Sequence, residues 1–328
     1  MSVLIAGGTG FIGRELTLIA LARGWDVHLI TRDPDKRGAR FLADQGAHLI
    51  QGDLTDVQGL RTIFSQVRPR RYFHNAGWYE LGIPASKRDR MWAVNVQGLA
   101  NALEAAEQHN VQKIVLTTST TALGDTGGDV VDESFERRSE PKSWYERSMD
   151  AAHQVALEGI EAGLPIVMGS PAQVIGPDDH AVFGIMLRLF LRNLLPPTLW
   201  GPEGTFSFVH VDDVAMGLVR IMEDGRLGEN YFLAGSLMSN REMVAFWKAQ
   251  TGRSLPIIWL PRGIAMAIGY VSAPLLRIIG QPAFISPEVV RSSYVSFKYS
   301  AEKIRDELGV VLRSAHEAWA HTIAVEST

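Results

Sequence analysis

Two hydrophobic patterns alternate through the first half of the chain. Short, mostly uncharged runs at residues 3–6, 27–31, 47–50, 71–75, 113–118 and 165–169 read as strands buried on both faces. Between them, residues 11–23, 38–45, 56–66, 86–109 and 143–162 carry apolar side chains at helical spacing. Strands alternating with helices imply parallel βαβ units and a doubly wound α/β sheet of the Rossmann type.

The first strand runs into Gly7, Gly10 and Gly13, spaced three apart, and then directly into a helix. Gly7 lets the chain turn tightly off the strand. Gly10 leaves no side chain between the backbone and a pyrophosphate, and Gly13 lets the helix pack closely on the sheet. Free amides at the helix start, those of Phe11, Ile12 and Gly13, would face the phosphates, where the helix dipole favours negative charge. The strand before and the helix after supply the context that makes a glycine triplet a dinucleotide site.

Beyond Gly176 the texture changes. Pro177, Pro196, Pro197, Gly201, Pro202 and Gly204 punctuate the chain, and helices no longer alternate regularly with strands. The expected organisation is a dinucleotide-binding domain over residues 1–176 and a smaller, interleaved substrate lobe over 177–328. Residues 206–211 and 230–234 are expected to return to the sheet. Residues 262–280 are apolar enough to raise a membrane question, but Pro274, Arg277 and three glycines interrupt a stretch already short for a span. A buried or substrate-lining helix is expected there, with peripheral membrane contact as the alternative.

Composition narrows the classes. With 328 residues, 46% apolar and 21% charged, the chain is ordinarily globular. A net charge of −4 provides no basic field for nucleic acid. The chain has no cysteine, which excludes disulfides, thiolate catalysis and cysteine-ligated metal, and no metal centre is expected. The N-terminus enters a strand with no basic leader region, so a cytoplasmic location is expected.

Along the chain, in order, stand the glycine triplet, Gly52-Asp53-Leu54, His74-Asn75-Ala76-Gly77, Asn95-Val96-Gln97-Gly98, Thr117-Thr118-Ser119 and Tyr145. Pro171 with Gly176-Pro177, the run Phe208-Val209-His210-Val211-Asp212-Asp213-Val214, Ser300-Ala301-Glu302-Lys303-Ile304 and Glu307-Leu308-Gly309 complete the set. Together these motifs resemble the extended short-chain dehydrogenase/reductase family, and within it the branch of dihydroflavonol reductases and 3β-hydroxysteroid dehydrogenases. The resemblance implies that Asp53 accepts a hydrogen bond from the adenine amino group, with Leu54 beside the ring; Asp53 could also cap a helix. It implies that Ala76 and Gly77 pass close under the cofactor, that Pro171 and Val174 border the nicotinamide, and that Asn95 distorts its helix, relays a proton or braces backbone. His210 is expected to be architectural.

The end of the second strand bears on the cofactor. A carboxylate there would hold both ribose hydroxyls and select NAD, whereas a 2′-phosphate calls for arginine. This chain has Thr31-Arg32-Asp33-Pro34, with Arg37 close behind, and Arg32 resembles the phosphate-binding arginine of NADP-dependent reductases. NADP is the expected cofactor and NAD the alternative. Otherwise Arg32 is a solvated loop arginine paired with Asp33 or Asp35.

By resemblance, the Tyr145 hydroxyl exchanges a proton with the reacting oxygen and Ser119 hydrogen-bonds that same oxygen. The family places a lysine four residues after the tyrosine, on the same helix face. Here that position is Met149, and Lys142 precedes the tyrosine by three. An ammonium ~6 Å from a phenol at an effective dielectric of ~20 is worth about 3 kcal/mol, roughly two pKa units. Without it Tyr145 should stay protonated near neutral pH, with its phenol near the unshifted value of about 10. That suits a proton donor in reduction better than a base in oxidation.

Trp78, Tyr79, Leu81, Phe183, Met186 and Trp200 are the pocket candidates, and all are aromatic or apolar. Sugar-nucleotide members carry an arginine ahead of the Val-His-Val-Asp run, where this chain offers Phe206 and Ser207. The leading expectation is an NADP-dependent reductase of a small apolar or aromatic carbonyl compound, with a homodimer allowed. The alternatives are a sugar-nucleotide epimerase or dehydratase, and an NAD(P)-binding sensor or scaffold that has lost its chemistry.

Overall fold

In the computed structural model, which describes residues 2–278 and 285–327, β1 (Ser2–Ala6) sends Val3 and Ile5 to one face and Leu4 and Ala6 to the other. That is why its sequence is an unbroken apolar run: helices cover both sides. The chain continues through α1 (Phe11–Ala22), β2 (Asp26–Thr31), α2 (Arg37–Asp44), β3 (His48–Gln51), α3 (Val57–Val67) and β4 (Arg71–His74). Next come α4 (Ala85–Trp92), α5 (Gly98–Gln108), β5 (Lys113–Thr117), α6 (Trp144–Glu161), β6 (Ile166–Pro171) and β7 (Gln173–Ile175). The remainder comprises α7 (Val182–Leu191), β8 (Thr198–Trp200), β9 (Thr205–His210), α8 (Val211–Asp224), β10 (Asn230–Leu233) and β11 (Leu237–Ser239). It ends with α9 (Asn240–Thr251), β12 (Ile258–Leu260), α10 (Arg262–Ile278), α11 (Pro287–Ser292), α12 (Glu302–Leu308) and α13 (Ala315–Glu326).

Seven strands form one sheet in the order β10-β6-β5-β4-β1-β2-β3, and every pair is parallel. Leu16 and Ala20 of α1 and Val214, Leu218 and Ile221 of α8 cover one face. Leu60 and Phe64 of α3, Leu99 and Leu103 of α5, and Ala152 and Ala156 of α6 cover the other. A third core, around Phe190, Phe208, Trp247 and Trp319, belongs to the later elements. Phe190, Phe208, Trp247 and Trp319 meet edge-on or tilted, with Trp247 and Trp319 centroids 5.0 Å apart, while Phe206 stacks on Phe297 at 5.8 Å.

Three details differ from the sequence reading. The strand expected over 206–211 forms, but β9 lies outside the main sheet, parallel to β7 and antiparallel to β11. The edge of β6 away from β5 is already taken by β10, so a further strand has no place beside it. The helix expected over 86–109 is interrupted by a π-turn at Ala93–Gln97. In the apolar stretch 262–280, α10 buries only Ala265, Gly269 and Ala273; residues 279–280 lie outside the described residues. Among the described residues, no helix is long and apolar enough to cross a membrane.

Candidate active site

The order of strands opens a crevice beyond the carboxyl ends of β1 and β4, where the connections diverge to opposite sides of the sheet. Gly7 lies in that crevice with φ of +78°, a conformation that favours glycine, and a Cβ there would stand 2.5 Å from the Asn75 carbonyl and 2.7 Å from Ala76 Cα. Gly13 is tighter still, since its Cβ would fall 1.9 Å from the Gly7 oxygen. Gly10 caps α1 and donates its amide to Gly7 at 3.0 Å. Among the described residues no side chain caps this helix, so its first amides remain available to an anion. These features fit a pyrophosphate: the close approach is built from glycine and the donors are backbone. Phe11 reaches across to Gly176, whose Cβ would meet its ring at 3.4 Å.

The residues expected around a nucleotide fall on both sides of this loop. Arg32 follows β2, is exposed, and among the described residues has no ion-pair partner. Asp35 instead pairs with Arg40 at 2.8 Å, and the Asp33 carboxylate accepts the Asp35 amide at 3.1 Å. Asp53 does not cap α3; Asp56 does, accepting the Gly59 amide at 3.0 Å. Asp53 turns to Thr55, whose amide donates at 2.9 Å and whose hydroxyl donates at 2.8 Å. The Thr55 amide, the Thr55 hydroxyl and the nearby Arg32 charge hold its carboxyl below the usual range against partial burial. Leu54 is buried under Gly98. Ala76 is half-buried and Gly77 exposed at the β4 end.

Asn95 sits buried in the π-turn with its amide fully occupied. Its Oδ1 accepts the Trp78 amide at 2.6 Å, and its Nδ2 donates to the Trp78 carbonyl and the Ser148 hydroxyl, each at 3.0 Å. It clamps the segment after Gly77 and ties it to α6. Of the roles considered for Asn95, the helix distortion and the brace are the ones seen.

Ser119, two residues past β5, and Tyr145, in the first turn of α6, lie near each other, and the Ser119 hydroxyl accepts the Thr121 amide at 3.2 Å. Burial pushes the Tyr145 phenol up to about 12, opposed by the nearby Ser119 hydroxyl. The expected unshifted value of about 10 is therefore too low, because the ring is buried and no ammonium compensates. Met149 packs with Tyr145, Ile83 and Met91 in an apolar cluster. Lys142 is spent elsewhere, its ammonium 3.0 Å from Asp125. The Tyr79 ring meets Tyr145 edge-on, with centroids 4.8 Å apart.

Tyr145 opens onto a cavity of about 300 Å³ between the sheet and the later elements. Phe183, Met186, Leu199, Trp200, Phe206 and Ile268 are among its walls, and Thr120, Thr121, Gln173 and Asn240 supply polar atoms. No lysine or arginine lines it among the described residues. Five of the six pocket candidates line it; Trp78 instead packs with Met149 and donates to Glu80 at 3.2 Å. Pro171 is buried at the end of β6 and Val174 lies in β7, flanking the lining residues Ala172 and Gln173.

Sequence reasoning missed two contributors. Glu146 also lines the cavity, and burial pushes its carboxyl up, opposed by the Lys142 amide and Arg137. Arg137 staples the turn after Ser119, donating to the carbonyls of Ala122 at 2.9 Å and Thr121 at 2.8 Å. The adjacency of Glu146 to Tyr145 was the one available signal; Arg137 offered none. His210 lies outside the cavity lining and caps α8 by accepting the Asp212 amide at 3.2 Å.

A parallel sheet with a glycine loop at its switch point, and a serine and a tyrosine beside an apolar cavity, define an extended short-chain dehydrogenase/reductase. The chain belongs to the NAD dependent epimerase/dehydratase family, whose model matches residues 3–234. It is 28% identical to sterol demethylase protein B of Methylococcus capsulatus, over 99% of this chain and 98% of that one. It is 27% identical to a putative dihydroflavonol 4-reductase of Synechocystis, over 97% and 92% of the two chains. The crystal structure of gox2253 superposes with a TM-score of 0.82 at 29% identity, covering 98% of this chain and 97% of that one. The Thermus thermophilus UDP-glucose 4-epimerase complexed with NAD shares the fold, with a TM-score of 0.77 at 24% identity over 99% of each chain.

Proposed function

We propose that this chain is an NADP-dependent reductase of an apolar or aromatic carbonyl compound. The observation that carries the reading is the cavity beside Tyr145, with apolar walls and no cation among its described lining residues. A sugar diphosphate would bring two phosphate charges into this space with no lysine or arginine to meet them. An apolar ketone or aldehyde fits the same walls, with its carbonyl oxygen toward Tyr145 and Ser119.

The glycine loop, the α1 amides and Asp53 would hold a nicotinamide dinucleotide, which when bound supplies the hydride. Arg32, free of a carboxylate partner among the described residues, supports a 2′-phosphate. The protein's own part is to orient the carbonyl, exclude water and deliver a proton from the Tyr145 oxygen. A phenol held protonated up to about 12 serves that direction at neutral pH.

The test is a hydride-transfer screen with NADPH against aromatic and alicyclic ketones and aldehydes, run beside Tyr145→Phe. Consumption of NADPH that Tyr145→Phe removes supports the reading. Micromolar binding of a UDP-sugar would replace it with the epimerase reading. Tight NADPH binding with no turnover by the unaltered chain or by Met149→Lys would leave a binding protein, which the apolar setting of Met149 favours.

A further inference from the structure

The outer face of α10 is apolar and uncovered. Ile264, Val271, Leu275 and Ile278 follow one another at seven, four and three residues, which places them on one side of the helix. They are 52%, 63%, 58% and 80% exposed. The opposite side carries the buried Ala265, Gly269 and Ala273. A Cβ at Gly269 would come within 3.0 Å of the Pro287 nitrogen, so the helix is held close to α11 on that side. Rolling the outer face inward would break this fit. Several large exposed apolar side chains on one face mark an interaction surface.

Charge selects the partner. Residues 243–278 contain Lys248, Arg253, Arg262 and Arg277 and no aspartate or glutamate, in a chain whose net charge is −4. A second copy docking through α10 about a twofold axis would set one acid-free helix against another, and the carboxylate beside Arg277, that of Glu288 on α11, is already taken by the Gly82 amide at 2.6 Å. An anionic bilayer supplies both missing terms, a hydrocarbon layer for the isoleucines and leucine and phosphates for the cations.

We propose that α10 docks the chain on the surface of an anionic phospholipid membrane. The helix lies in the plane of the interface, with Ile264, Val271, Leu275 and Ile278 among the acyl chains and Arg262 at headgroup level. It does not span: it has 17 residues, with Pro274 and Arg277 near its end. Ile268 of the same helix lines the cavity, so docking brings the cavity wall within one helix diameter, ~10 Å, of the lipid. The proposal rests on this helix surface and not on the reading of the cavity.

Flotation of the full chain with vesicles tests it, comparing phosphatidylcholine alone with equal parts phosphatidylcholine and phosphatidylglycerol. The chain should float with the anionic vesicles and less so at high salt. A variant carrying Val271→Glu and Leu275→Glu should lose about tenfold or more in the bound fraction. Ile264→Ser, a milder exchange at an exposed position, should weaken binding in part, and the exposed Val311→Glu should leave it unchanged. Thermal midpoints of the variants should match the parent. Absence of flotation overturns the proposal, as does undiminished flotation of the double variant. A dimer that the double variant dissociates, without flotation, assigns the face to a second copy and overturns it too. A chain that floats but reduces no carbonyl leaves this proposal standing, and a reductase that does not float removes this proposal alone.

Discussion

Met149 stands one helical turn beyond Tyr145 on α6, and the two side chains pack in the same apolar cluster with Ile83 and Met91. The position one turn beyond the phenol is therefore apolar, uncharged and half-buried. A lysine placed there would be partly desolvated beside the same apolar groups, and its charge would act on the phenol.

The pH dependence of reduction follows. As the proposed proton donor, Tyr145 would act below its pKa, which burial raises to about 12. The rate of carbonyl reduction should stay flat through neutral pH and fall only as pH approaches that value, while alcohol oxidation, which needs tyrosinate, should rise toward it. Met149→Lys should move both breaks down by about two pH units. A pH profile of kcat/KM in each direction checks this; a break near 7 in the unaltered protein would assign the proton to another group.

Arg32→Ala should weaken NADPH by about 1.5–3 kcal/mol, the worth of a hydrogen bond to a charged group, and leave NADH nearly untouched. The contrast follows from its position at the end of β2, with Asp33 and Asp35 otherwise engaged. Calorimetric titration of both cofactors reads it. Equal affinities in the unaltered chain would turn attention to Asp33 as the ribose acceptor.

Buried histidines give a stability signature in acid. His74, at the end of β4, is bonded at 2.8 Å to the Tyr72 hydroxyl, and burial lowers its pKa to about 4. The unfolded chain holds the imidazole near 6.5, so between those values it binds the extra proton. The stabilisation is complete above about 6.5 and is lost as pH falls toward 4, up to roughly 3 kcal/mol from this group. Urea unfolding between pH 7 and pH 4 should show the decline, and the His74 ring resonance should titrate near 4. Titration of that ring above 6 would contradict the assignment.

The sheet was readable from sequence because its strands are buried on both faces, as Val3, Leu4, Ile5 and Ala6 show, and an unbroken apolar run has few other uses. The glycine triplet was readable for a similar reason: close approach at Gly7 and Gly13 excludes every side chain. The position of β9 was not readable. Its alternation suits any half-buried strand, and only the presence of β10 on the edge of β6 decides where it goes. Nor did the sequence reveal the outward face of α10, since apolar spacing alone does not say which side meets the protein. Arg137 was invisible because its function is to bind backbone carbonyls, which no sequence pattern records.

Asn95→Ala should be costly to the fold and to the site together. The native amide satisfies the Trp78 N–H at 2.6 Å and donates to the Trp78 carbonyl and to Ser148, from the one buried position of the π-turn. Alanine leaves the Trp78 amide without its acceptor, at about 1–3 kcal/mol for one unsatisfied buried group, with the Trp78 carbonyl and Ser148 hydroxyl losing a donor as well. Trp78 and Tyr79 are adjacent, and the Tyr79 ring packs edge-on against Tyr145. Loosening the Trp78 backbone should therefore lower the urea midpoint and reduce kcat for reduction, while the glycine loop keeps its affinity for the dinucleotide. Asn95→Asp retains the acceptor but replaces the donor with a charge that burial disfavours, so it should rescue little at neutral pH and more as the carboxyl protonates. Denaturation and cofactor titration of both variants check the argument; full stability in Asn95→Ala would show that the π-turn holds without its brace.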